Sequence, residues 1–127
     1  MIKKILIVDD SLVARMMIQN SIPTDKGYEV LVAFNGKEGV EKYRQHKPDV
    51  TFMDLTMPEL DGFTAIEQIL AFDSNAIIIA LTADIQSKSI LRVTELGAFA
   101  VVQKPAKPDI IQGVLKDVAF KLRHTGA

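Results

Sequence analysis

Four short apolar runs in this chain each lead into side chains suited to phosphoryl chemistry. Ile5-Leu6-Ile7-Val8 runs into Asp9-Asp10, and Val50-Thr51-Phe52-Met53 runs into Asp54. The run from Ala76 to Leu81 ends at Thr82, and Ala100-Val101-Val102 precedes Gln103 and Lys104-Pro105. Adjacent carboxylates such as Asp9 and Asp10 repel each other unless a cation neutralises them. Magnesium suits such a place, because it takes hard oxygen ligands and uses one or two carboxylates together with phosphate oxygens. Asp54 is a third ligand, a general base, or a nucleophile that takes a phosphoryl group as an acyl phosphate; the residue alone does not select among these. The Thr82 hydroxyl can donate to a phosphoryl oxygen, and the Lys104 ammonium can neutralise its charge. Each group has a plainer reading: a helix-capping aspartate, a β-branched strand residue, a surface lysine. Their common position after apolar runs is what separates them from those readings. Pro105 also permits a cis peptide after Lys104.

Short apolar runs separated by helical segments read as buried parallel strands. The spacing predicts strands at residues 4–8, 28–34, 50–53, 76–81 and 99–103. Ser11 is the expected N-cap of a first helix reaching Ser21, with Val13, Met16, Met17 and Asn20 on its core face. Pro23 to Gly27 punctuates the chain, and Asn35-Gly36 turns into a second helix that ends near His46-Lys47-Pro48. Met57 to Gly62 reads as a loop before a helix at about 63–72. A fourth helix spans about 85–96 and stops at Gly97. Pro108 opens a last helix to about Arg123, with Ile111, Val114, Leu115, Val118 and Leu122 at core spacing. Strand–helix alternation implies a parallel sheet covered on both faces. In such a sheet the carboxyl ends of the strands open at one edge, where ligands bind. Asp9, Asp10, Asp54, Thr82 and Lys104 therefore meet there.

The bulk composition narrows the function classes. The chain has 127 residues, 48% apolar and 24% charged, enough for one ordinary core and unlike a disordered segment. A net charge of −1 provides no field for nucleic acid or an anionic membrane. No cysteine is present, which removes disulfides and thiolate metal sites. The longest apolar run is too short to span a bilayer, and the basic start at Lys3-Lys4 is followed by too short a run for a secretion signal. A cytoplasmic setting is expected. No Gly-rich phosphate loop follows the first strand, the aromatics form no stacking platform, and His46 and His124 sit at polar helix ends. Met16-Met17 reads as core.

Val8-Asp9-Asp10-Ser11, the run Met53 to Gly62, Leu81-Thr82-Ala83 and Gln103-Lys104-Pro105 resemble the four signature blocks of response-regulator receiver domains, in order and over the whole chain. The resemblance implies a flavodoxin-like (βα)5 doubly wound sheet with strand order 2-1-3-4-5, as a single receiver domain over 1–127. It implies Asp54 as phosphoacceptor, with Asp10, Asp54 and the Thr56 backbone carbonyl binding Mg2+ directly and Asp9 acting through water. Thr82 and Lys104 would contact the phosphoryl oxygens. The implied donor is a phosphohistidine on a sensor histidine kinase or a small phosphodonor. A target protein would bind through the fourth helix, fifth strand and fifth helix, and a phosphatase is a possible further partner. The domain would catalyse only its own phosphorylation and dephosphorylation.

The blocks and the length are similar to stand-alone chemotaxis-type regulators, so the expected output is protein–protein contact and not an attached output domain. A phosphorelay shuttle or an excised receiver of a larger regulator are the alternatives. An aspartate-nucleophile phosphatase fits less well, because the main family of that kind spaces its two acids two apart on the first strand. One position departs from the family: three residues before the strand-five lysine, where Tyr or Phe is usual, stands Val101. Phe99 is the nearest aromatic, and its register differs.

Overall fold

The computed structural model describes residues 1–57, 60–84 and 86–125. Five strands, β1 (Lys4–Val8), β2 (Glu29–Ala33), β3 (Val50–Asp54), β4 (Ile78–Thr82) and β5 (Ala100–Gln103), alternate with five helices. These are α1 (Leu12–Ser21), α2 (Gly36–His46), α3 (Gly62–Phe72), α4 (Ser87–Leu96) and α5 (Pro108–Thr125). All strand pairs are parallel and the order is 2-1-3-4-5, as the family resemblance implied.

Alternation along the strands splits the core into two layers. Ile5, Ile7, Phe52, Ile79 and Leu81 face Ile18 and Ile22 beside α1 and Ile111, Leu115 and Val118 on α5. Leu6, Val8, Met53, Ile78 and Ala80 face Val40 and Tyr43 on α2, Ala65, Ile66 and Ile69 on α3, and Val93 on α4. The middle strands β1, β3 and β4 are buried on both faces, which explains why they read as unbroken apolar runs.

Element boundaries moved by one or two residues. β2 is shorter at both ends than 28–34, β5 begins at Ala100, and β4 begins at Ile78 and includes Thr82. α4 begins at Ser87; Ile85, the expected start, lies outside the described residues, as do Pro58 and Glu59 of the loop before α3. Ser11 caps α1 as expected, its hydroxyl accepting from Ala14 N–H at 3.2 Å, and Asn35 caps α2 in the same way at 2.8 Å. Gly97 ends α4 with φ of 110°.

The core face of α1 is not the expected one. Val13 is 67% exposed, Met16 49% and Met17 37%, and Asn20 is also exposed. Ile18, Ser21 and the following Ile22 are buried instead, with Ala14 half-buried. Apolar residues occupy both sides of this ten-residue helix, so its periodicity admits two stripes. The small residues Ala14 and Ser21 let the other side pack against the sheet and α5. Leu12, Val13, Met16 and Met17 are left as an outward apolar strip.

Ile18→Ala should therefore cost about 2–4 kcal/mol of unfolding free energy, whereas Val13→Ser should stay within about 0.5 kcal/mol. Denaturant titration of the two variants checks this; comparable losses would restore the Val13 face as core.

Candidate functional site

β1 is flanked by β2 on one side and β3 on the other, so the chain changes direction across the sheet at this strand. The crevice at the carboxyl ends of β1 and β3 is where such sheets bind ligands. Registers Val8↔Met53 and Asp54↔Leu81 put Asp9 just beyond the end of β1 and Asp54 at the end of β3. Thr82 pairs with Gln103, and the ladder continues through Lys104 N–H to Thr82 O at 2.8 Å. All five groups singled out by their types thus reach one edge. The loop after β3 is folded tightly against this edge. A Cβ on Gly62 would lie 2.1 Å from the Asp54 carbonyl oxygen, so only glycine fits there.

Asp9, Asp10 and Asp54 each present a carboxylate oxygen within 4.8 Å of the others, the grouping of potential metal ligands found among the described residues. Asp9 is wholly buried, Asp54 is 4% exposed and Asp10 is exposed. Lys104 Nζ lies 2.9 Å from Asp9 Oδ2 and 3.5 Å from Asp54 Oδ1. The Lys104-Pro105 peptide bond is cis. Asp9 Oδ1 accepts from Ser11 N–H at 2.9 Å, and Asp54 Oδ1 accepts a long bond from Thr56 N–H at 3.4 Å. Asp9 Oδ2 is buried, with the Lys104 ammonium as its one close partner among the described residues. A buried carboxylate oxygen with unused acceptor capacity, beside two more carboxylates, fits a hard divalent cation with retained waters.

Burial, then the Asp9 charge, pushes the Asp54 carboxyl up from 3.8 to about 6, against the lowering effect of Lys104 and of the Thr56 N–H; Asp10 raises it further. Burial would lower the Lys104 ammonium, but its hydrogen bond to Asp9 and the Asp54 and Asp9 charges outweigh that and raise it above the ordinary lysine value.

Two features of the site were absent from the sequence reading. The Thr82 hydroxyl is engaged locally, donating to Asp84 O at 2.8 Å and accepting from Asp84 N–H at 3.0 Å. Arg15 Nη1 donates to the Asp9 backbone carbonyl at 2.7 Å. Beside Lys104 an open cavity of 280 Å3 has Val13 and Met17 on one wall and Ala83 and Lys104 on the other, so the exposed strip of α1 borders the site.

The model of the response regulator receiver domain family matches residues 5–116. The chain is 42% identical over 118 residues to the chemotaxis protein CheY of Thermotoga maritima, covering 92% of this chain and 98% of that protein. Among solved structures, the receiver domain of AraT from Geobacillus stearothermophilus superposes with a TM-score of 0.90 at 29% identity, with both chains fully covered. CheY in the CheX–CheY–BeF3–Mg2+ complex from Borrelia burgdorferi gives 0.85 at 29% identity, covering 91% of this chain and 88% of that one.

The raised Asp54 carboxyl makes stability depend on pH. Between about pH 4 and about pH 6 the folded protein holds a proton on Asp54 that the unfolded chain has released, so the contribution is complete below about pH 4 and is lost as pH rises through about 6. Asp54→Asn should flatten this slope and raise the melting temperature of the metal-free protein at about pH 8, with less effect at about pH 5. Millimolar magnesium should stabilise wild type at the higher pH, where the carboxylates are free to bind it. Parallel melting curves test this; equal slopes for the two proteins would place the pH dependence elsewhere.

Proposed function

Because the chain belongs to the response regulator receiver domain family, and is thus a phosphoaccepting response regulator, we propose that Asp54 is its phosphoacceptor and that its switch is of the chemotaxis type. The observation that carries the residue assignment is the meeting of Asp54 with Lys104 and two further carboxylates at one sheet edge. An Asp54 oxygen attacks the phosphorus of a phosphohistidine; the O–P bond forms, the P–N bond breaks, and the imidazole leaves with the bonding pair and takes up a proton. A small acyl phosphate serves in the same way with a carboxylate as leaving group. Lys104 pairs with the transferred phosphoryl oxygens, giving up part of its contact with Asp9. Thr82 turns its hydroxyl from Asp84 to the phosphoryl group. Asp10, Asp54 and the Thr56 carbonyl would hold magnesium, with Asp9 beside them as a further carboxylate; the metal would supply positive charge against the negative charge of the site. The residues fit that role through three carboxylates that share one ammonium and an all-oxygen donor set.

The chemotaxis reading is supported by the match over nearly the full length of the Thermotoga maritima CheY. We assign the donor to a sensor histidine kinase, the setting to the cytoplasm, and the readout to target contact on α4, β5 and α5. α4 is suited to move: Gln86 provides no side-chain cap, no acid lies in the first turn, and Val93 is its one fully buried residue among those described. Val101 packs on the α2–α4 side of the sheet, while Phe99 packs on the α5 side under Lys121, 5.3 Å from its ring. Phe99 therefore does not replace the missing aromatic.

Intact mass after treatment with acetyl phosphate and magnesium tests the assignment. Wild type should gain one phosphoryl group and Asp54→Asn none, while Lys104→Ala should keep its fold and label about a hundredfold more slowly. Labelling of Asp54→Asn at the wild-type level would overturn it. In amide exchange with and without beryllofluoride, the differences should concentrate at residues 82–91 and leave β5 quiet around Val101; a maximum at Val101 and Phe99 would make β5 the relay instead.

A further inference from the structure

Arg15 stands outside the set of groups that meet at the sheet edge, yet it is tied to them through two loops. Its Nη1 donates to the Asp9 carbonyl at 2.7 Å, and its guanidinium lies over the Phe34 ring, 4.4 Å from the centroid. Phe34 follows the last residue of β2, and its N–H donates to Glu38 Oε1 at 3.2 Å in the cap of α2. Asp9 N–H in turn donates to Ala33 O at 3.1 Å. One half-buried side chain on α1 thus clamps the β1–α1 loop to the β2–α2 loop.

The Asp9 carbonyl belongs to the peptide that joins Asp9 to Asp10. Holding it fixes that peptide plane, and with it the direction in which the exposed Asp10 leaves the backbone. The Ser11 N–H bond to Asp9 Oδ1 closes a turn through the same peptide, and Arg15 is the side chain that holds its carbonyl oxygen. Building on the function proposed above, we infer that Arg15, seated on Phe34, is a positioning residue for the magnesium carboxylates. The role needs guanidinium rather than charge: a planar, stacking fork with several donors, which lysine does not reproduce.

The sign of the metal response separates this role from a purely electrostatic one. A cation beside the cluster repels a second cation, so if Arg15 acted only through its charge, its removal would tighten magnesium binding. A positioning residue does the opposite. Magnesium titration by calorimetry, with amide shifts of residues 9–11 as a second readout, should show Arg15→Ala weakened about tenfold. Arg15→Lys, which keeps the charge, should be weakened in the same direction. Phe34→Leu, at an exposed position that leaves the core intact, should show a smaller loss. Melting temperatures of the metal-free variants provide the folding control.

Tighter binding by Arg15→Ala, wild-type affinity in Arg15→Lys, or a lowered melting temperature with unchanged affinity would each overturn the inference. Such results beside a wild type that binds magnesium and labels on Asp54 would leave the proposed function standing. A wild type that binds no magnesium would remove both.

Discussion

Three carboxylates confined within 4.8 Å against a single ammonium set the terms for the rest of this molecule. Lys104 can satisfy one buried acid well, and it sits closest to Asp9, the most deeply buried of the three. Asp54 is left with a longer contact and a carboxyl pushed up to about 6. The arrangement is a poor one for stability in the absence of a further positive charge. It is a good one for accepting a divalent cation and an incoming phosphoryl group, because each relieves what the other would aggravate. The metal offsets the excess negative charge, and the phosphoryl group gives Lys104 a partner other than Asp9. Stability is forgone at one edge of the sheet, while two well-packed layers on its faces hold the backbone that imposes the crowding.

The backbone imposes it through topology. Because β1 lies between β2 and β3, the chain leaves the end of β1 on one side and returns on the other, which opens a crevice at the carboxyl edge between them. Adjacent parallel strands in register then bring Asp9 and Asp54 side by side, and the β4–β5 ladder brings Thr82 and Lys104 next to them. Gly62 lets the loop after β3 close over the Asp54 carbonyl, where a side chain would meet it at 2.1 Å. The site is built almost wholly from strand ends, which the buried sheet holds firmly.

That origin explains which parts could be read from residues alone. Asp9, Asp10, Asp54 and Thr82 stand at the ends of runs buried on both faces, which mark the strand ends, and Lys104 follows the half-buried run of β5. The strand order itself came from the resemblance and not from the alternation, which is silent on order. The α1 face was misread because Val13, Met16 and Met17 compete with Ala14, Ile18 and Ile22 for the same helical periodicity. The choice is made by the fit of small side chains against the sheet, which no local pattern contains. Arg15 was invisible for a related reason. Its partners are a backbone carbonyl and a ring on a loop beyond the next strand, and neither leaves a spacing signal.

The Thr82 hydroxyl is committed at both its donor and acceptor sides to the Asp84 backbone. On the proposed assignment, turning it toward a phosphoryl group on Asp54 would release the Asp84 backbone, and Asp84 also accepts from Gln86 N–H through its side chain at 3.0 Å. That backbone lies directly before α4, whose first turn has no side-chain cap bond and no acidic residue. A ligand shifts such an equilibrium only by its differential affinity for the two states, and here the difference is a charge-assisted bond gained at the phosphoryl group against a neutral pair lost at Asp84. The exchange is local enough to reach α4 without passing through β5. With Val101 and Phe99 on opposite layers of the core, a path through β5 would require two separate layers to rearrange together, whereas the path through Asp84 requires only one loop to let go.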